Sequence, residues 1–171
     1  MKHLRLFPLF LLFAAIAVPL FASDDSASAA FDRMKKLAGA WTATTAEGKQ
    51  VRVTYEVIAN GSALIERESG EAFGNGSSME TVYHLDGDQL VLEHYCMAGN
   101  QPRMRASGYN PQTGELKFDF VSAGNLKSPN DGHMHNASFK FISNDQFASE
   151  WTFFKDGKAQ FSEKIQYKRV E

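Results

Sequence analysis

Three observations in the amino-acid sequence predict an all-β protein, an antiparallel up-and-down barrel of about ten strands with one short N-terminal helix. From Trp41 onward the apolar residues recur with a period of two: Val51, Val53, Tyr55 and Val57 alternate with Arg52, Thr54 and Glu56, the pattern of a strand with one buried face. Turn chemistry returns at short intervals, at Gly48, Asn60-Gly61, Asp86-Gly87, Gly99-Asn100, Asn110-Pro111, Asn144-Asp145 and Asp156-Gly157, and Asn-Gly or Asp-Gly pairs accept the positive φ of tight hairpins. Strands joined so closely are antiparallel neighbours. A meander of this length has two edges to protect, and closing on itself removes both. A packed two-sheet sandwich is the competing arrangement.

In chain order, Lys2 and Arg5 precede an apolar run over 6–21 that contains Pro8 and Pro19 and ends at the polar Ser23-Asp24-Asp25. This is the pattern of a secretory signal peptide, residues 1–22, cleaved after Ala22. It predicts a periplasmic or secreted protein. The run is shorter than the roughly 20 apolar residues a spanning helix needs, so no membrane span is expected after cleavage. The remainder, 23–171, has the length of one domain. The formal charge of −2 becomes −4 when Lys2 and Arg5 are removed, and no basic cluster remains. Such a surface offers nothing to a polyanion, which excludes nucleic acid as a partner class. Cys96 is the one cysteine, so the barrel is held by its core and not by an internal disulfide.

Phe31, Met34, Leu37 and Ala38 fall at three- and four-residue steps and predict a helix over 29–37, with Ser26 or Ser28 as its cap and Gly39 as its stop. Ten strands follow, over 41–46, 50–59, 62–69, 77–85, 89–97, 101–109, 115–122, 133–143, 146–155 and 159–170. Two connections are long, 70–76 and 123–132. Because neighbours run antiparallel, both long connections fall at the end where the fifth strand finishes, and the helix falls at the other. The first is therefore the expected mouth and the second a plugged floor. Trp41 starts the first strand and Arg169 ends the last, so closure should bring them together at the floor.

Alternation assigns faces. On the fifth strand Leu90, Leu92, His94 and Cys96 share one side; on the seventh, Leu116, Phe118 and Phe120; on the eighth, His133, His135, Ala137, Phe139 and Phe141; on the ninth, Phe147, Ser149, Trp151 and Phe153. Those sets are expected to face inward, with His94, Cys96, His133 and His135 around one cavity at the mouth. Glu163 on the last strand and Arg67 on the third are placed inward too, paired with each other or holding a ligand headgroup. His133-Met134-His135 is also a metal-ligand spacing, since residues i and i+2 of a strand point the same way about 6.6 Å apart. His94 is the candidate third ligand for a divalent metal. Cys96 activated by His94 or His135 would be a nucleophile, although no orienting Asp or oxyanion device is identifiable.

Gly39-Ala40-Trp41, after a short helix and at the start of the first strand, resembles the Gly-x-Trp motif of lipocalins and the wider calycin group, and Arg169 is similar to the Arg that covers that Trp. The chain as a whole is similar to uncharacterised secreted bacterial lipocalin-like domains, with Tyr83-His84-Leu85-Asp86-Gly87-Asp88 and His94-Tyr95-Cys96 among the points of likeness. The resemblance implies a barrel that binds something small and apolar. Ten strands bring it nearer to fatty-acid-binding and nitrobindin-like barrels, and the latter hold haem through a His late in the chain. No His follows His135, so haem is not expected. His-x-His on a strand also resembles the cupin metal motif, whose following Glu and later His are missing here.

The expectation is thus an exported barrel holding a small apolar or amphipathic molecule, with His94, Cys96, His133, His135, Phe118, Phe120, Phe139, Trp151, Glu163 and Arg67 as ligand-binding residues. The alternative is a metal-dependent or thiol enzyme built on His94, Cys96, His133 and His135.

Overall fold

Helix α1 (Asp25–Lys35) leads into ten strands: β1 (Gly39–Thr44), β2 (Gln50–Ile58), β3 (Ala63–Gly70), β4 (Ser78–Asp86), β5 (Gln89–Tyr95), β6 (Gln101–Asn110), β7 (Glu115–Gly124), β8 (His133–Phe141), β9 (Gln146–Lys155) and β10 (Lys158–Arg169). This computed structural model describes residues 25–74 and 76–170; the segment 1–22, expected to be a signal peptide, lies outside the described residues. Each strand pairs antiparallel with its sequence neighbour, and β1 closes the barrel on β10. Among the described residues no helix is long and apolar enough to cross a membrane. The helix begins earlier than its apolar spacing predicts, so Ser26 and Ser28 lie within it and do not cap it.

The floor is where the core is densest. Ala30, Phe31 and Met34 of α1, with Leu37 just beyond it, are buried, and the helix packs across β4, β5 and β6. Trp41 is fully buried; its indole Nε1 donates to the Leu37 carbonyl at 2.7 Å. Arg169, its register partner across the closing seam, lies with its guanidinium carbon 4.1 Å from the ring centroid. The same guanidinium donates to the carbonyls of Ala38, Lys36 and Asn144. Gly39 has φ +121, and a Cβ there would sit 3.0 Å from an Arg169 nitrogen. Only glycine combines that backbone with that approach. Trp41 and Arg169 meet at the floor as their strand positions require.

Above this floor the lumen is filled. Tyr83, Phe118, Phe139 and Phe147 are buried and in mutual edge or stacked contact at centroid separations of 6.0–6.4 Å. Phe118 and Phe139, expected to line a ligand cavity, belong instead to this packed core. Ten strands enclose space, but aromatic side chains take up its lower half.

Candidate functional site

The upper lumen is lined by a different chemistry, and register explains why. Val53 and Tyr55 of β2 face the core, and their partners on β3 are Glu68 and Glu66. Directly opposed residues share a face, so β3 turns Leu64, Glu66 and Glu68 inward. Arg67, expected inside, therefore lies outside: its guanidinium pairs with Glu56 at 2.8 Å and Glu80 at 3.3 Å on the barrel's exterior. It pairs with neither Glu163 nor any luminal group.

Tyrosines satisfy the two buried carboxyls. Tyr83 Oη donates to Glu66 at 2.7 Å, the Tyr55 hydroxyl also bonds to Glu66, and Tyr167 Oη donates to Glu68. Burial raises the Glu66 pKa despite those hydrogen bonds. Burial, and then the neighbouring Glu66 charge, push Glu68 up to about 8. At neutral pH Glu68 is largely a carboxylic acid, because ionising it in an apolar surrounding is costly. Neither Glu66 nor Glu68 was expected among the site residues; the tight Asn60-Gly61 turn, read through its register, is the signal that places them.

Toward the mouth Glu68 joins a small cavity with Met79 (β4), His94 (β5), Met134 (β8), Ser149 and Trp151 (β9), and Glu163, Ile165 and Tyr167 (β10). At about 20 Å³ it has room for a water-sized group. His94 is held from below by its Nδ1, 2.9 Å from Thr81 Oγ1, and lies against Trp151 with ring centroids 4.8 Å apart. Its Nε2 is buried with no partner. Burial lowers the His94 pKa to about 4, so the imidazole is neutral across ordinary pH. Glu163 is half-buried, opposite Trp151 in register, and its pKa is raised chiefly by desolvation. His94, Trp151 and Glu163 are the predicted site residues that the fold brings together.

His133 and His135 are not with them. The β8–β9 ladder slips between Met134 and Asn136, and it is Met134 that lines the lumen. Side chains one residue away point to the other face, so both histidines lie outside the lumen. There the β7–β8 ladder ends at Asp119 and Asn136, and Phe120, His133 and His135 occupy the split. His135 stacks between Phe120, at 4.7 Å, and Phe154, at 4.0 Å. His133 Nδ1 lies 2.8 Å from the Asp131 carbonyl, and its Nε2 is 3.1 Å from His135 Nδ1. The connection over 125–132 covers them, making a separate cleft of about 490 Å³ with Leu126 and Pro129.

Cys96 belongs to neither cavity. It sits half-buried in the β5–β6 turn, where its amide donates to the Asn100 carbonyl at 3.2 Å. The amides of Ala98 and Met97 face its sulfur, but burial outweighs them and raises the thiol pKa. A protonated thiol is a poor nucleophile. Among the described residues no three His, Cys, Asp or Glu side chains converge as metal ligands. The expectation of one cavity ringed by His94, Cys96, His133 and His135 is thus overturned: the bulge at His135 turns the histidine pair out of the lumen.

The mouth above the inner cavity is wide. Asn100 Nδ2 donates to the Gly132 carbonyl at 2.8 Å and ties the β5–β6 turn to the 125–132 connection. Together with Phe153 these segments frame an open hollow of about 980 Å³. Phe153 stacks on Phe161 at 5.2 Å, and Phe161 is 52% exposed. Both continue the strand rows of Trp151 and Glu163 toward the mouth, where they add apolar surface.

The fold of the chain is similar to that of solved structures. The chain is similar to Rv2717c from M. tuberculosis, with a TM-score of 0.58 and 14% identity over 83% of this chain and 98% of that one. It is also similar to a protein of unknown function from the DUF3598 family of Nostoc punctiforme, with a TM-score of 0.50 and 11% identity over 80% of this chain and 49% of that one. At these identities the likeness is one of fold. No family profile matches the chain, and no curated protein does.

Proposed function

We propose that the protein is an exported binding barrel whose upper lumen takes the polar end of a small amphipathic molecule while its apolar part rests in the mouth. The observation that carries this reading is the unpartnered, buried Nε2 of neutral His94, a residue that lines the luminal cavity, with the apolar pair Phe153 and Phe161 nearer the mouth. A buried polar atom without a partner costs about 1–3 kcal/mol, and a bound group that satisfies it recovers that cost. Pockets that bind small molecules are largely apolar with a few convergent polar groups, which is the composition found here. Export rests on the charged and apolar pattern of residues 1–22. Native mass spectrometry of protein taken from its own host tests the binding role. A co-purified organic mass, lost in Trp151→Ala, is the expected result; protein that carries no organic adduct in repeated preparations would refute it. N-terminal sequencing of the exported form should begin near Ser23, and retention of residues 1–22 in a membrane fraction would refute the export reading.

A further inference from the structure

We infer that the luminal cavity selects a primary ammonium group, so that the molecule held is an amine with an apolar tail and not a fatty acid or another anion; this rests on the binding reading above. The first observation is the charge of the lining. Glu68 and Glu163 both face the cavity, and no Lys or Arg lines it. The guanidinium that alternation places inside, Arg67, is committed to Glu56 and Glu80 on the exterior. A carboxylate ligand would meet Glu163, a largely protonated Glu68 and no cation, so nothing in the lining pairs its charge.

The second observation is independent of that charge. His94 is only 3% exposed and its Nε2 has no partner. In the tautomer whose Nδ1 donates to Thr81 Oγ1, Nε2 is an acceptor. In that tautomer four of the lining residues carry acceptor atoms: His94, Glu68, Glu163 and Ser149. An ammonium carries three donors and no acceptor, which matches that set. Trp151 also lines the cavity, and an aromatic face favours a cation over an anion.

Size narrows the class further. About 20 Å³ admits a group the size of water. A primary ammonium fits that space more readily than the bulkier trimethylammonium. The tail would pass Phe153 and Phe161 into the mouth, where both rings are partly open to solvent.

The test is calorimetric titration of the purified protein with octylamine, octanol, octanoate and octyltrimethylammonium, probes that share one tail. Octylamine should bind about tenfold or more tighter than octanol, and octanoate and octyltrimethylammonium more weakly than octylamine. Glu163→Gln should bring octylamine down to the affinity of octanol while leaving octanol unchanged; Glu68→Gln, at a more buried position, serves as the second variant. Octanol or octanoate binding as tightly as octylamine would overturn the ammonium assignment and leave the binding barrel intact. Binding of none of the four, in protein that also carries no adduct from its host, would overturn both.

Discussion

Among the described residues the only two buried side-chain atoms without a hydrogen-bond partner, His94 Nε2 and Asn100 Oδ1, both lie in the mouth half of the barrel. The floor has none. There Trp41, Arg169 and the end of α1 exhaust one another's donors and carbonyls, and the aromatic core above them is closed. Three of the four register slips, at Arg103/Met104, Met134/Asn136 and Ala159/Phe161, also fall in the mouth half. Bulges re-aim side chains and recur beside functional sites. The contrast teaches that one continuous sheet can separate two tasks, with stability at the satisfied end and recognition at the unsatisfied one.

The largest effect should come from breaking the floor. Trp41→Ala should cost about 3–5 kcal/mol in denaturant unfolding, the range for truncating a buried aromatic. Arg169→Ala should cost less, since it removes a cation–π contact of about 0.5–2 kcal/mol together with its carbonyl hydrogen bonds. If Trp41→Ala proved no worse than surface changes, the floor would not be the stabilising end. Next in size is the middle layer. Tyr83→Phe removes the hydroxyl that donates to buried Glu66 and should cost about 1–3 kcal/mol, because one partner is left behind; a stability equal to wild type would mean that Tyr55 alone satisfies that carboxyl.

A third effect, on the order of 1 kcal/mol between pH 7 and pH 9, belongs to Glu68. Its folded pKa, raised to about 8, exceeds the value of 4.5 for the exposed group. Between those two values the folded state holds a proton that the unfolded chain has released, so stability falls as pH rises and stops falling above about 8. Glu68→Gln should flatten that slope. His94 acts in the opposite sense: with a folded pKa near 4 against 6.5 when exposed, the unfolded chain takes up the proton first, and stability falls as pH drops through 6.5. Unfolding measured across pH 4–9 in wild type, Glu68→Gln and His94→Gln separates the two slopes.

The floor was legible because it needs only strand direction and the identity of the end residues: Trp41 opens one strand, Arg169 closes another, and closure makes them neighbours whatever happens between. Faces at the mouth depend on counting residues, and each bulge breaks the count. Nothing at His135 announces a bulge, since no glycine or proline stands there, so alternation carried His133 and His135 inward with Phe139. On β3 the count itself was recoverable. A two-residue Asn60-Gly61 turn pairs Ala59 with Ser62, and hence Tyr55 with Glu66 and Val53 with Glu68, as is found. Reading the third strand alone, where Ala63 and Ile65 look like the buried pair, put Arg67 inside instead. The acidic lining of the lumen was hidden by that step and not by any shortage of signal.

The smallest effect should come from the histidine pair, and it sharpens the contrast most. His135 stacks between Phe120 and Phe154 outside the lumen, and such aromatic contacts contribute about 0.5–1.5 kcal/mol each. His135→Ala should therefore lower stability modestly. It should leave luminal binding of octylamine unchanged, whereas His94→Ala should weaken it, because of the two histidines only His94 lines the inner cavity. The wall between them is one sheet thick, and Met134, which lies between His133 and His135 in sequence, lines the inner cavity. If His135→Ala weakened luminal binding as much as His94→Ala, the outer cleft and the inner cavity would be coupled through β8, and the mouth would have to be regarded as one site with two faces.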